Sequence, residues 1–189
     1  MIVYALVDYD NIKIHRREST IADVESNLVY IVDAIVAACK PSMPDGGELR
    51  IRFYGGWINE RGYYSQLAEW LLASIRAIRG LHGAWRVMPD LAIALALLPN
   101  ATLLGSLRTS QPGLRQKMVD TMFAVDSIYF ANQSGGHLLL VSDDDDMVPS
   151  TLAARKISKN MLIAIRRRPN GAAINDVICN NHGIFYTHL

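Results

Sequence analysis

Two clusters of acids stand out in the chain. The first is Asp8-Tyr9-Asp10-Asn11, and the second is Ser142 followed by Asp143, Asp144, Asp145 and Asp146. Asp120 and Asp126 lie between them. Carboxylates held together repel one another and raise each other's pKa unless a cation intervenes. Oxygen donors with no accompanying His or Cys suit Mg²⁺ or Mn²⁺. Such an ion can activate water and stabilise the leaving oxygen of a phosphodiester. A structural role competes for each single residue, because Asp and Asn cap helices and turn the chain after strands. Four adjacent acids are harder to accommodate in a loop that has no cation, although a solvated surface run remains open.

The elements that must position these acids alternate along the chain. Residues 2–7 are an apolar run that reads as a buried strand ending at Asp8. Ser19 or Thr20 can cap a helix through about Cys39. Residues 49–57 alternate as a strand, with Leu49, Ile51 and Phe53 on the buried side. A second helix is expected over 63–78, stopped by Gly80, and a third over 117–132 with Met118, Met122, Val125 and Tyr129 as its stripe. Residues 87–107 are ambiguous between helix and strand; a strand or hairpin around Pro99-Asn100 is expected. Residues 91–98 read as core or as a surface for a second copy of the chain.

After residues 137–141, a strand, the pattern predicts a helix over 147–158 and a strand over 161–165. A short helix over 172–179 and a strand over 183–186 complete it. Strands separated by helices predict an α/β domain, a parallel sheet with helices on both faces. Ligands in such sheets sit at the carboxyl ends of the strands. Both acid clusters fall there.

The 189 residues, half of them hydrophobic, suffice for one compact domain and exclude a disordered chain. Two cysteines make no disulfide framework or metal-ligand pattern, and the apolar runs are too short for a membrane span. A cytoplasmic setting is the expectation. The net charge of +1 excludes a strongly basic protein, but it conceals local separation. Residues 1–142 sum to zero, 143–146 contribute −4, and 147–189 contribute +5.

Three segments carry a resemblance. Val7-Asp8-Tyr9-Asp10-Asn11-Ile12 resembles the D-x-x-N motif that opens the NYN domain family, a branch of the PIN-like nucleases. Gln116-Lys117-Met118-Val119-Asp120 is similar to that family's middle motif. Leu140 through Pro149 resembles its third, S-G-D-x-D-F-x-P, and the three occur in the family's order. The resemblance implies a three-layer Rossmann-like PIN/NYN domain over residues 1–189 with a mostly parallel central sheet. It also implies a metal-dependent endoribonuclease that hydrolyses RNA, or less often DNA, by a two-metal-ion type mechanism with Mg²⁺ or Mn²⁺. Matched position by position, Asp8, Asp120, Asp144 and Asp146 would hold metal, and Asn11 and Ser142 would support them. Asp143 stands where the family has Gly, and Met147 where it has an aromatic residue. Asp10 and Asp145 read as solvent-facing, and Asp126 as a supporting or structural acid.

Nucleic acid would meet the basic residues near that edge. Arg166, Arg167 and Arg168 follow a strand, Arg16 and Arg17 follow the first acid motif, and Arg115 and Lys117 flank the 106–116 loop. All can bind phosphate, and all can equally be solvated charges near helix ends. Tyr54, Tyr63 and Tyr64 could stack on unpaired bases, whereas Trp57 reads as covering the core. The competing functions are a nucleic-acid-binding module without catalysis and a metal-dependent phosphatase acting on a small molecule.

Overall fold

The computed structural model describes residues 1–14, 18–59, 63–98, 107–108, 118–133, 135–158, 162–166, 181 and 185–188. At the centre of the sheet is β1 (Ile2–Asp8), with β2 (Gly47–Tyr54) on one side and β7 (Gly136–Val141) on the other, both parallel to it. Beyond β2 lie β5 (Trp85–Leu91) and the edge strand β4 (Gly80–His82); beyond β7 lie β8 (Leu162–Arg166) and β9 (Phe185–His188). Only β4 runs antiparallel. A separate two-stranded pair joins β3 (Ile58–Asn59) to β6 (Leu107–Arg108).

Helices cover both faces. Val3, Ala5 and Val7 of β1 point into one core with α2 (Ile21–Cys39) and α3 (Gln66–Ile78). Leu6 points into the other, with α4 (Val119–Ala131) and α5 (Val148–Ile157). This is the expected three-layer α/β architecture with a mostly parallel sheet. No described helix is long and apolar enough to cross a membrane.

Local chemistry sets the element ends. Thr20 and Asp23 form a reciprocal capping box at the start of α2. Ser65 caps α3, three residues after the expected start. Pro89 sits in β5 beyond the reach of β4, where its missing N–H costs no ladder bond.

The hairpin of residues 80–91 turns at 83–84 and β5 ends at Leu91; Pro99 and Asn100, around which a strand or hairpin is expected, lie outside the described residues. Leu91, Ala92 and Ala94 are core, while Leu97 and Leu98 are about half exposed. The buried side of α4 is Val119, Met122, Phe123, Asp126, Ser127 and Ala131, whereas Met118 and Val125 are exposed. Apolar spacing misplaced that face because it includes two polar residues with internal hydrogen-bond partners. The expected helix over 172–179 lies outside the described residues.

Candidate metal centre at the carboxyl edge

The sheet reverses its winding at β1. The chain proceeds from β1 to β2 on one side, and β7 returns to the other side. The crevice outside the carboxyl ends of β1 and β7 is therefore a topological switch point. Asp8 ends β1, and Ser142 follows Val141, whose ladder partner is Val7.

A one-turn helix, α1 (Tyr9–Ile12), begins directly after Asp8. The turn brings residues three apart onto one side, and Asn11 Nδ2 donates to Asp8 Oδ2 at 2.7 Å. Ser142 Oγ donates to the same oxygen, also at 2.7 Å. Asp8 is almost completely buried, and its second oxygen, Oδ1, has no hydrogen-bond partner among the described residues. Burial pushes the Asp8 carboxyl up to about 6. The Asn11 and Ser142 bonds oppose that shift, while the charges of Asp120 and Asp10 add to it.

The second cluster is wound into a turn. Asp144 N donates to Ser142 Oγ at 3.1 Å, and Asp144 Oδ1 accepts from Asp146 N at 3.0 Å. A 3-10 turn (Asp145–Met147) follows and runs into α5. Asp120 stands in the first turn of α4, open to solvent at its tip. Crowding by protein atoms, then the charges of Asp144 and Asp146, hold its carboxyl above the usual range. The Asp120 charge thus reaches Asp8, while Asp120 itself feels Asp144 and Asp146.

The four acids share one electrostatic neighbourhood. Among the described residues, however, no three of them are drawn into a ready coordination shell. The donor set still fits a hard divalent ion. It is all oxygen, and its deepest member leaves a buried carboxylate oxygen without a partner.

Asp10 departs from expectation. It pairs with Lys13 Nζ at 2.9 Å and is mostly covered, so it is not solvent-facing. Asp145 is half-buried in the turn. Lys13 also reaches Glu18 Oε2 at 2.8 Å. Burial alone would pull the Lys13 ammonium down, but Asp10 and Glu18 outweigh it and raise it. Glu18 further accepts from Tyr9 Oη and from Asn27 Nδ2, the latter at 2.9 Å. Lys13 and Glu18 were not legible as site neighbours, because their pairing depends on how residues 9–27 fold back on α2.

Tyr54 is fully buried and donates to Asp126 Oδ2 at 2.7 Å, so it cannot stack on a base. Trp57 is buried as expected, whereas Tyr63 and Tyr64 are exposed. Arg16, Arg17, Arg115, Lys117, Arg167 and Arg168 lie outside the described residues. Arg166 is placed only by its backbone, at the end of β8 and on the same sheet edge as Asp8 and Ser142. No protein-family model matches the chain, nor does any curated protein or solved structure.

Proposed function

We propose that this protein is a divalent-metal-dependent nuclease of the PIN-like, NYN type that hydrolyses phosphodiester bonds, with RNA as the favoured substrate. The observation that carries the reading is Asp8. It is a buried carboxylate at a topological switch point, oriented by Asn11 and Ser142 through one oxygen, with the other oxygen unpartnered among the described residues and further acids around it. A structural aspartate would be paired out. An aspartate kept for a cation leaves such an oxygen open.

Asp8, Asp120, Asp144 and Asp146 would hold Mg²⁺ or Mn²⁺. The bound ion would supply an activated water and charge stabilisation at the scissile phosphate. The protein's own residues do the positioning. Ser142 and Asn11 fix the carboxylate plane of Asp8, and Ser142 also receives the Asp144 backbone, coupling the two clusters through one hydroxyl. Lys13 holds Asp10 in an ion pair beside them. Arg166, Arg167, Arg168, Arg16, Arg17, Arg115 and Lys117 are the proposed phosphate contacts.

The test is cleavage of a mixed RNA and DNA panel with Mg²⁺ and Mn²⁺, run beside Asp144→Asn. Cleavage is expected to disappear in the variant while RNA binding persists. Full activity of Asp144→Asn would sink the site assignment. Turnover of small phosphate esters with no competition by RNA would favour the phosphatase reading. Binding without cleavage under any divalent ion would favour a non-catalytic module.

A further inference from the structure

The sheet face that carries Leu6 and α4 also holds a cleft of about 360 Å³ away from the acid cluster. It lies over the first half of β2 and the second half of β5, where alternation leaves Arg50 and Asp90 exposed. Its floor is apolar, from Leu6, Met88 and Pro89. One wall is aromatic. Tyr4 stacks on Phe130 with ring centroids 4.6 Å apart. The Tyr4 ring also lies over Gly136, where a Cβ would come within 2.4 Å of it, so the wall is closely seated.

Three guanidiniums reach the cleft, and they differ in what they have left to give. Arg52 is already engaged: it bonds Asp90 at 2.9 Å and the Ala94 carbonyl, and its Nε lies 3.3 Å from Asp126. Arg50 uses Nε on Glu48 at 2.6 Å and rests over Tyr4 at 5.7 Å, with its side chain half exposed. Arg79, at the C-cap of α3, is exposed; its backbone N–H donates to the Ile75 carbonyl, and its guanidinium has no ion-pair or hydrogen-bond partner among the described residues. Two guanidinium forks beside an apolar floor and an aromatic wall match a phosphate joined to a flat, apolar body. The volume is at the scale of small-ligand sites.

We propose that this cleft binds a phosphorylated ligand of nucleotide size, its phosphate held by Arg79 and Arg50 and its ring set against the Tyr4–Phe130 wall. The phosphate can belong to a free nucleotide or to a nucleotide within a strand. The inference does not rest on the acid cluster, so the two can fail separately.

The test is titration of the full-length chain without divalent ions. Nucleoside 5′-monophosphates, the matching nucleosides, inorganic phosphate and a short single-stranded oligoribonucleotide are the probes. Saturable binding of monophosphates is expected, with nucleosides and inorganic phosphate each at least tenfold weaker. Arg79→Ala and Arg50→Ala should each weaken binding tenfold or more, while Asp144→Asn binds as wild type. Binding of the oligonucleotide alone, lost in Arg79→Ala, would assign the phosphate to a strand. No binding of any probe, or binding indifferent to both arginine variants, would overturn the proposal. Both arginines are exposed enough that thermal melting of the variants should match wild type, which separates lost binding from lost fold.

Discussion

Two buried aspartates on the same side of the sheet have opposite surroundings. Asp126, in α4, is fully buried and satisfied. Its Oδ2 accepts from Tyr54 and faces Arg52, and its Oδ1 accepts from Ala96 N at 2.8 Å. Asp8 is nearly as buried, yet both of its bonds converge on one oxygen, and among the described residues acids rather than an arginine add their charge to it. Burial raises both carboxyls. What differs is the compensation. Asp126 ties the loop after β5 to α4 and β2, which is an architectural task. Asp8 keeps one buried oxygen without a hydrogen-bond partner among the described residues. Two acids of similar burial therefore acquire different roles from the partners their strands and loops deliver.

The largest expected effect tests the architectural half. Asp126→Ala leaves Arg52 beside a vacated, buried site, and breaking a buried pair in this way costs about 3–5 kcal/mol. Chemical denaturation should show that loss; a change under 1 kcal/mol would mean that the network is ornamental.

The next effect has the opposite sign. The Asp8 carboxyl is raised in the folded state from 3.8 to about 6, so the native protein holds a proton that the unfolded chain has lost. Its contribution is fully present below pH 4 and disappears as pH rises through 6, an effect of up to about 3 kcal/mol. Asp8→Asn should therefore stabilise the metal-free protein at pH 7 and flatten that slope. Mg²⁺ or Mn²⁺ should restore stability to wild type at pH 7 and do little at pH 4.5. Thermal melts across pH read both outcomes, and a destabilised Asp8→Asn would place Asp8 with Asp126.

Smaller effects refine the contrast. Ser142→Ala removes one bond to Asp8 and the acceptor of Asp144 N. Partners that orient a metal ligand are worth about 10–100-fold in metal affinity or activity, and the cleavage assay should fall in that range. Tyr54→Phe takes a single donor from Asp126, which keeps Ala96 and Arg52. The expected cost is about 1.5 kcal/mol in denaturation, with cleavage unchanged.

The layered fold was legible because its signals are local. Alternation in β2, the Thr20 cap and the acids ending β1 each lie within a few residues of the structure they specify. The association of Asp8 with Asn11 was legible for the same reason, as one turn of helix. Pairing of Asp8 with Ser142, 134 positions away, followed only from parallel strands ending on one edge. The Asp126 network was less legible, since Tyr54, Arg52 and Ala96 come from two other segments and only the register assembles them. The same cause hid the true face of α4. Lys13 carries no such signal, because nothing in its sequence neighbourhood marks burial; Glu18 and Asn27 supply the reason only after the chain folds back.

The central position of β1 has a kinetic consequence. Its amides are bonded on both sides by parallel neighbours, so they should exchange with solvent only in the rarest, most global openings. Asp120 and Asp146 lie at exposed helix starts, where openings are frequent. Of the four acids of the candidate centre, Asp8 is thus the slow component, and Asp120 and Asp146 are the fast ones. An ion or strand arriving there would meet a fixed anchor in Asp8 and a rim that opens more often, and the slowest-exchanging protons of the protein should lie beside the deepest carboxylate of the candidate centre.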